Sequence, residues 1–307
     1  MSVTSQYHGR FAPSPTGPLH FGSLVTAVGS YLEAKKHHGI WLLRMEDLDT
    51  PRCVAGAADD ILRTLEAFGL YWDEAVLYQS QRTAAYQEAL EQLKQTGMAY
   101  PCACTRREIA DSALFGIEGQ IYPGTCRAGI ATGRQARAWR VRTDGLPSSL
   151  VGEGIISFDD ALQGRITQEL RSEIGDFVVL RADGLFAYQL AAVVDDAFQG
   201  INHIVRGADL ITSTARQIWL QRLLGYPTPN YMHLPIAVNA QGEKLSKQTL
   251  AAPVDRKNCS STLLQALRFL RQNPPVELAG YEVGEILNWA VAHWDSTPLD
   301  GIMRISI

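Results

Sequence analysis

The segment between residues 11 and 21 constrains the fold most strongly, because it places rigid backbone immediately before a helical pattern. Four residues within it interrupt regular structure: Pro13, Pro15, Gly17 and Pro18. Apolar residues from Leu24 to Leu32 recur at helical spacing, and Gly39 is expected to cap the end of that helix. The apolar run at 40–45 suits a buried strand. A strand, a loop and a helix followed by another strand form the opening of a parallel α/β sheet.

The remaining chain predicts further helices and a change of character near residue 100. Helical patterns lie at 61–68, 86–93, 213–224, 260–271 and 283–294. Ser80 is the expected N-cap of the second of these helices, and Gly225 is expected to close the third. Strand-like stretches lie at 138–142 and 177–180. Between 101 and 176 the chain has many glycines and no lysine, which indicates an inserted subdomain of mixed structure.

Composition narrows the class of protein. With 307 residues, 46% of them hydrophobic, the chain is long enough for two domains or one large domain with an insertion, and too apolar to be disordered. No apolar run approaches the roughly 18 residues that span a bilayer, and the longest, at 185–194, is broken by Gln189. The first ten residues lack the apolar core of a signal peptide. Five cysteines, an odd number in a long chain, favour a cytoplasmic protein without a disulfide framework.

Two short motifs have the character of phosphate sites. His20, Gly22 and Ser23 lie where the rigid loop meets the first helix, and helix amides and a glycine backbone can approach a phosphate there. Lys244 and Lys247 lie within five residues, although the chain holds only six lysines. Two cations on a short loop can stabilise the charge on a transferring polyphosphate. Each motif alone is more typical of an ordinary turn, but the two motifs together, in this order, favour a phosphate-binding function.

Five ordered motifs resemble those of the class I aminoacyl-tRNA synthetases. The segments His20-Phe-Gly-Ser and Lys244-Leu-Ser-Lys-Gln are similar to the two signature motifs of that class. Three others resemble glutamyl-tRNA synthetase in particular: Phe11-Ala-Pro-Ser-Pro-Thr-Gly, Arg44-Met-Glu-Asp-Leu-Asp and Ile204-Val-Arg-Gly-Ala-Asp-Leu. The resemblance covers roughly residues 8–250. It implies an α/β, Rossmann-like catalytic domain that condenses glutamate with ATP, accompanied by Mg²⁺, to give glutamyl-adenylate and pyrophosphate.

The resemblance also implies a set of glutamate-binding residues. Glutamate has two carboxylates and one ammonium group, so its pocket needs cationic forks and at least one anion. Arg10 and Arg206 match the substrate arginines of the family, and Arg206 is the better candidate for the side-chain carboxylate. Glu46 matches the residue that meets the ammonium group. Tyr188 matches a pocket hydroxyl, and Ser14 lies on the loop that touches substrate.

The same resemblance assigns roles toward ATP. His20, Gly22 and Ser23 are expected to hold the phosphates at the start of the helix, although many relatives have a second histidine in place of Ser23. Lys247 is expected to bind ATP and to stabilise the transition state at the α-phosphate, with Lys244 supporting it. His20, Lys244 and Lys247 are therefore the expected catalytic residues.

A cysteine cluster predicts a structural zinc ion, one per chain. Three thiols lie at short spacing: Cys102, Cys104 and Cys126. Zinc normally takes four ligands, and no histidine occurs between His38 and His203. Tyr122 resembles the unusual tyrosine ligand of one synthetase subfamily, and Asp111 or Glu108 is the alternative fourth ligand.

A basic strip follows the third cysteine. Five arginines and no acid lie between 127 and 142: Arg127, Arg134, Arg137, Arg140 and Arg142, with Trp139 among them. A net charge of −4 argues against a sequence-blind polyanion binder but allows such a local strip to follow a phosphate backbone. An exposed strand with alternating arginines is an equally good interpretation.

The acceptor is inferred from the distance between the last motif and the end of the chain. Only 60 residues follow Lys247, where a full glutamyl-tRNA synthetase has an anticodon-binding region. The chain therefore resembles the shorter glutamyl-queuosine tRNA(Asp) synthetases. That family activates glutamate without tRNA and attaches it to the cyclopentenediol of queuosine in the anticodon loop of tRNA(Asp). The alternatives are a short glutamyl-tRNA synthetase that charges a tRNA 3′ end, and a non-catalytic paralogue that binds tRNA or glutamate.

These expectations combine into four predicted regions. Residues 1–100 and 177–250 form the two halves of the catalytic domain. Residues 101–176 form an inserted α+β subdomain that holds zinc and grips the anticodon stem-loop. Residues 251–307 form a short helical tail, and no part of the chain is expected to enter a membrane.

Overall fold

Strand and helix alternate in the first third of the chain. The computed structural model describes residues 6–110, 115–116, 119–144, 154–245 and 252–307. Its first elements are β1 His8–Phe11, α1 Phe21–Lys36, β2 Ile40–Met45, α2 Ala57–Ala67, β3 Leu77–Tyr78 and α3 Thr83–Gln95. Residues 12–19 form neither helix nor strand, which confirms the predicted loop between β1 and α1.

The middle of the chain is richer in strands. Its elements are β4 Ala99–Cys102, α4 Arg106–Ala110, β5 Phe115–Gly116, β6 Gly119–Gln120, β7 Ala138–Val141, β8 Ile155–Asp160, β9 Gly164–Glu169 and β10 Phe177–Leu180. The strands predicted at 138–142 and 177–180 are confirmed as β7 and β10. Strands β10, β7 and β4 form an antiparallel sheet in that order, and β8 and β9 form an antiparallel hairpin.

The last part of the chain returns to alternating elements. These are α5 Tyr188–Phe198, β11 His203–Gly207, α6 Ile211–Leu224, β12 Asn230–Leu234, β13 Ile236–Val238, α7 Cys259–Phe269, α8 Val283–His293 and β14 Arg304–Ser306. Gly225 closes α6 with a φ of 72°, as its position predicts. The tail also contains β14, which pairs in parallel with β13 and was not predicted, because three residues carry too little pattern.

Parallel strands from both ends of the chain build the central sheet. Strand β2 pairs with β1 on one side and β3 on the other, and β11 pairs with β12. Strand β1 lies beside β11, where the backbone N–H of Asn202 donates to the carbonyl of His8 over 3.1 Å. The strand order is therefore β3-β2-β1-β11-β12. In such sheets, ligands bind beyond the carboxyl ends of the strands where the chain order reverses, here between β1 and β11.

Helices pack on both faces of this sheet. Successive residues of β2 point to opposite faces of the sheet: Trp41 and Leu43 belong to one apolar core, and Leu42 belongs to another. Helices α1, α7 and α8 pack together in the first core, and α3, α5 and α6 in the second. Leu267 of α7 and Ile286 of α8 are fully buried, so the tail completes the first core. No helix of the described residues is long and apolar enough to cross a membrane.

The β8–β9 hairpin connects the middle region to the central sheet. Asp160, the last residue of β8, pairs with Tyr231 of β12. In the other direction, β10 pairs with β7, although residues from 177 onward were assigned to the second catalytic half. Strand pairing thus crosses residue 176 twice, and the limits of the four regions stay a prediction.

Two expected helix-terminal residues are wrong. Helix α1 has His37 as its C-cap, and His38 rather than Gly39 takes the positive φ, 51°. Gly39 instead permits close packing, because a β-carbon there would lie 2.5 Å from the carbonyl oxygen of Tyr7. Helix α3 begins after Arg82, and the hydroxyl of Ser80 donates to the carboxylate of Asp47 over 2.6 Å.

Candidate active site

A cavity of about 600 Å³ lies beyond the carboxyl ends of β1, β2 and β11. Nine of the ten residues assigned from the sequence to glutamate, ATP or catalysis line it: Arg10, Ser14, His20, Gly22, Ser23, Glu46, Tyr188, Arg206 and Lys244. The tenth, Lys247, lies outside the described residues. Residues separated by more than 200 positions therefore meet at the place where an open parallel sheet binds ligands.

Arg10 is held at the cavity wall by a buried acid. Its Nε atom donates to Oδ1 of Asp196 over 3.0 Å, and Nη1 of Arg44 donates to the same oxygen over 2.7 Å. The Nη2 atom of Arg44 lies 3.4 Å from Oε1 of Glu46. Arg10, Arg44 and Asp196 are at most 3% exposed, so two cations and two anions compensate one another in the interior.

The pKa values of the two carboxyl groups in this network, Asp196 and Glu46, are shifted in opposite directions. Burial raises the pKa of Asp196, but the charges of Arg10 and Arg44 outweigh burial, and the pKa is lowered. For Glu46, burial raises the pKa more than Arg44 and Arg10 lower it. Burial thus outweighs the ion pair of Glu46 with Arg44, and the ammonium group of a substrate would bring a further positive charge to this carboxyl.

The hydrogen-bond partners of Arg206 in the described part of the chain are neutral. Its Nε atom donates to Nε2 of His233 over 3.1 Å, and its Nη1 and Nη2 atoms donate over 2.8 Å to Oε1 of Gln217 and Oγ1 of Thr214. Arg206 is 4% exposed, and no carboxylate of the described residues forms an ion pair with it. A buried cation that no carboxylate of the described residues contacts directly favours an anionic ligand at this point of the cavity.

His233 connects Arg206 to a second buried acid. Its Nδ1 atom lies 2.6 Å from Oδ2 of Asp160, and both side chains are fully buried. Burial lowers the pKa of His233 to about 4 although Asp160 opposes this shift, so the ring is neutral at pH 7. Because the Nε–H of Arg206 can only donate, Nε2 of His233 accepts, and Nδ1 carries the proton that is donated to Asp160.

Tyr188 and Ser14 contribute hydroxyl groups to the same cavity. Tyr188 is the first residue of α5, where burial, and then the charge of Glu46, raise its pKa. Its phenol therefore stays protonated and can donate to a substrate oxygen. Ser14 is exposed on the loop after β1, and its carbonyl accepts the N–H of Thr16 over 2.8 Å.

The start of α1 has the features of a phosphate site. His20 is the N-cap, and its Nδ1 atom accepts the backbone N–H of Ser23 over 3.3 Å. The Oγ atom of Ser23 lies 3.0 Å from Nε2 of His20. A β-carbon on Gly22 would lie 3.3 Å from the His20 ring and 3.7 Å from the carbonyl oxygen of Leu245. Glycine thus keeps the backbone accessible between two motifs that are distant in sequence.

Lys244 meets the third motif at the edge of the cavity. Its Nζ atom lies 2.5 Å from Oδ2 of Asp209, and its side chain is 45% exposed. Asp209 belongs to the motif that contains Arg206 and lines the cavity. The ion pair therefore links the loop of the second signature motif to the loop after β11.

Seven residues of this site have no assignment from the sequence: Arg44, Asp160, Asp196, Asp209, Thr214, Gln217 and His233. The apolar helix α5 does contain a signal, because acids at 195 and 196 within an apolar segment need buried cations as partners. Asp160 and His233 are 73 residues apart, and neither has a local pattern that predicts their contact.

The cysteine cluster forms a second candidate site. The sulfurs of Cys102, Cys104 and Cys126 lie within 4.8 Å of one another, and the last two are 3.7 Å apart. The phenol oxygen of Tyr122 lies 3.4 Å from the sulfur of Cys102 and 3.6 Å from that of Cys104. Tetrahedral zinc, with bonds of about 2.3 Å to sulfur and 2.0 Å to oxygen, separates sulfurs by about 3.8 Å and sulfur from oxygen by about 3.5 Å. The distances of 3.7, 3.4 and 3.6 Å match those values, and the three sulfurs lie close enough for one ion to reach them all.

Arg140 supplies positive charge beside this cluster. Its guanidinium carbon lies 4.0 Å from the centre of the Tyr122 ring, and its Nε atom donates to the sulfur of Cys102 over 3.4 Å. Glu108, an alternative fourth ligand, instead accepts from Arg134 over 2.9 Å, and the backbone N–H of Thr105 also donates to it. The other alternative, Asp111, lies outside the described residues.

The arginines between 127 and 142 do not share one exposed surface. Arg140 is buried, and Arg127 forms ion pairs with Asp144 and Asp176. The expectation of five exposed arginines is therefore wrong for these two. Arg140 is turned inward by the alternation of side chains along β7, and Arg127 is held by the two acids. Arg134 and Arg137 are exposed.

Comparisons with known proteins identify the family. A family model described as tRNA synthetases class I (E and Q), catalytic domain, matches residues 6–268. A glutamyl-Q tRNA(Asp) synthetase of Dechloromonas aromatica is 59% identical over 307 residues, which cover 99% of this chain and 99% of the relative. This chain belongs to the glutamyl-Q tRNA(Asp) synthetase family. Membership confirms the resemblance inferred from the five motifs, and it makes the chain a ligase of the class I synthetases.

Solved structures agree with the fold of this synthetase family. A glutamate tRNA ligase from Elizabethkingia meningosepticum, in complex with its amino acid, is 28% identical with a TM-score of 0.66 over 80% of this chain. The match covers 52% of that ligase, so this chain spans about half its length. A glutamate-tRNA synthetase from Elizabethkingia anophelis, 23% identical, shares the fold with a TM-score of 0.77 over 98% of this chain and 68% of that one. The predicted class I catalytic α/β domain is thus confirmed.

Proposed function

We propose that this chain activates L-glutamate with ATP and transfers the glutamyl group to queuosine in the anticodon loop of tRNA(Asp). Support for glutamate comes chiefly from Arg206, a buried guanidinium in the cavity whose hydrogen-bond partners among the described residues are all neutral. Support for the acceptor comes from the family, since a relative that is 59% identical is a glutamyl-Q tRNA(Asp) synthetase.

The cavity charges suit glutamate. Arg206 would bind the side-chain carboxylate through its positive charge and the second N–H group of Nη1, since its Nε–H, the first Nη1 N–H and both Nη2 N–H groups donate to His233, Gln217, Leu210 and Thr214. Arg10, fixed by Asp196, would bind the α-carboxylate as a fork. Glu46 would accept from the ammonium group, whose charge would bring the raised pKa of this carboxyl back down. The phenol of Tyr188 completes the polar wall.

Activation would take place between this pocket and the start of α1. An oxygen of the α-carboxylate attacks the α-phosphorus of ATP, the bond from that phosphorus to the bridging oxygen breaks, and pyrophosphate leaves. His20, Gly22 and Ser23 would hold the phosphates, and Mg²⁺ bound to ATP would offset their charge. Lys247 would stabilise the transition state, and Lys244 would support it from its position beside Asp209.

Transfer uses the energy of the mixed anhydride. A hydroxyl of the cyclopentenediol of queuosine attacks the glutamyl carbonyl, its proton passes to a base or to solvent, an ester forms and AMP leaves. A cis-diol on a modified base resembles a ribose diol chemically, so the same adenylate can serve it. We place this reaction in the cytoplasm, which suits a protein with five unpaired cysteines.

A structural zinc ion forms part of the proposal. Cys102, Cys104, Cys126 and the phenolate of Tyr122 would hold it as a closed tetrahedral site, which ties β4 to the loop after β6. The region between 101 and 176 would then grip the anticodon stem-loop, with Arg137 as an exposed cation for its phosphates and Arg134 held beside it by Glu108.

The proposed activation is tested by pyrophosphate exchange. We expect exchange that depends on glutamate and proceeds without tRNA, and no exchange with glutamine at equal concentration. Exchange that requires tRNA(Glu) would favour the short glutamyl-tRNA synthetase instead. Absence of exchange, with or without tRNA, would favour a non-catalytic binding paralogue and would overturn the proposal.

A further inference from the structure

We infer that Asp160 and His233 form a positioning dyad that fixes Arg206 for the side-chain carboxylate of glutamate. The inference rests on the proposed role of Arg206, and it adds two residues that act through this arginine. Neither Asp160 nor His233 is among the residues that line the cavity in the described part of the chain, so they are positioning residues rather than catalytic ones.

Asp160 is itself held rigidly. Its Oδ1 atom accepts three backbone N–H groups, from Leu162 over 3.1 Å, from Gln163 over 2.9 Å and from His233 over 3.2 Å. This leaves Oδ2 to accept from Nδ1 of His233 over 2.6 Å. The direction of the histidine ring is therefore set by the backbone of the turn between β8 and β9 and by the backbone of β12, which pairs with β8 at Asp160.

The tautomer of His233 determines whether Arg206 faces a hydrogen-bond acceptor or an N–H group. An arginine has donors only, so it is stabilised by a ring nitrogen without a proton and is repelled by an N–H group. The carboxylate of Asp160 has acceptors only, and it therefore holds the proton on Nδ1 and leaves Nε2 bare. The same logic explains why a histidine with the wrong tautomer disables a catalytic triad.

The dyad also connects two predicted regions. Asp160 lies on the β8–β9 hairpin, within the segment predicted to contact the tRNA, whereas His233 and Arg206 lie on the parallel strands β12 and β11. A residue of the predicted insertion therefore supports the glutamate pocket indirectly, through His233 and Arg206.

Asp160→Asn is the sharpest test. The amide oxygen can replace Oδ1 toward the three backbone N–H groups, but the amide nitrogen would face Nδ1 as a donor. His233 would then carry its proton on Nε2 and oppose the Nε–H of Arg206. We expect the KM for glutamate in pyrophosphate exchange to rise about 10- to 100-fold, with the KM for ATP changed less than about 3-fold.

Asp159→Asn is the matched control. It makes the same change one residue earlier on β8, where the carboxylate is 75% exposed and pairs with Arg165. We expect no change in either KM, because an exposed ion pair contributes little. Thermal unfolding of both variants, compared with the wild type, shows whether Asp160→Asn still folds.

The tautomer can be read without activity. Long-range ¹H–¹⁵N spectra of protein labelled in histidine distinguish a protonated Nδ1 from a protonated Nε2. We expect the His233 proton on Nδ1 in the wild type and on Nε2 in Asp160→Asn. As a rescue, His233→Gln keeps an acceptor for Arg206 and should retain more glutamate affinity than His233→Leu, which has none.

Two results separate the inference from the proposed function. A wild-type protein without glutamate-dependent exchange would refute the proposed function, whereas the spectra would still report the tautomer. A wild-type protein with normal exchange, together with a folded Asp160→Asn variant whose glutamate KM is unchanged, would overturn the dyad. An Nε2 proton on His233 in the wild type would overturn it as well.

Discussion

Oδ1 of Asp196 accepts from Nε of Arg10 over 3.0 Å, and both residues are 3% exposed. The same oxygen accepts from Arg44, so Asp196→Asn would leave two buried guanidinium groups without their shared anion. We expect the free energy of unfolding to fall by about 3–5 kcal/mol, the cost of removing one partner of a buried pair. Urea unfolding measures it. Asp183→Asn, which loses an exposed ion pair with Arg181, should change stability by less than about 1 kcal/mol.

Replacement of Arg206 should separate function from stability. Arg206→Gln removes a buried cation that forms no direct ion pair with a carboxylate of the described residues, so the free energy of unfolding should stay the same or rise. The kcat/KM for glutamate should fall at least about 100-fold, the loss expected when a charged hydrogen-bonding partner is removed. A strongly destabilised Arg206→Gln variant would show that the arginine serves the fold rather than the ligand.

His233 should give the chain a specific loss of stability in acid. Its pKa, near 6.5 in an unfolded chain, is about 4 in the folded protein, so the unfolded state binds more protons between these values. The stability that depends on the neutral His233 ring is therefore present above about pH 6.5 and is lost as the pH falls toward 4. By linkage, unfolding free energy should drop by about 2 kcal/mol between pH 7 and pH 5. Urea unfolding of His233→Gln should lack this part of the drop; an equal drop in both proteins would contradict the buried neutral ring.

Gly22→Ala tests the phosphate end of the cavity. The added β-carbon would lie 3.3 Å from the His20 ring and 3.7 Å from the carbonyl of Leu245, where a phosphate would approach. We expect the KM for ATP to rise about 10-fold and that for glutamate to change little. Gly284→Ala is the control, because its β-carbon meets nothing within 4 Å on helix α8, and it should leave exchange unchanged and stabilise the helix slightly.

The zinc proposal makes a graded prediction. Wild-type protein should retain about one zinc per chain by elemental analysis. Cys126→Ser should lose it, whereas Tyr122→Phe should retain three thiolates and bind zinc more weakly. Arg140→Gln should also weaken binding, because its guanidinium contacts both the Tyr122 ring and the sulfur of Cys102. Competition with a chromogenic chelator ranks the variants. Zinc-free wild-type protein with intact structure would refute the site.

The positions of Arg10, Glu46 and Arg206 could be predicted because each lies in or next to a motif at the end of a strand. Parallel strands bring their carboxyl ends to one edge, so motifs distant in sequence meet. The supports of these residues could not be predicted in the same way. Asp160 reaches His233 from a hairpin 73 residues away, and only the packing of that hairpin creates the contact.

Three residues differ from their sequence-based predictions because of contacts in their immediate surroundings. Ser80 has the residue type of an N-cap, but the carboxylate of Asp47 competes for its hydroxyl. Gly39 follows a helix, but its backbone is needed close to Tyr7, and His38 accepts the strained φ instead. The sequence places Arg140 in a run of arginines, but side chains alternate along β7, and this one points inward to the ring of Tyr122.

The central claim is the acceptor, and labelled glutamate tests it most directly. Wild-type protein should be incubated with ATP, Mg²⁺ and radiolabelled glutamate, together with tRNA(Asp) that contains queuosine, tRNA(Asp) that lacks it, or tRNA(Glu). We predict label only on queuosine-containing tRNA(Asp), within the anticodon-loop fragment after nuclease digestion. Label at the 3′ end of tRNA(Glu), with no dependence on queuosine, would contradict the account.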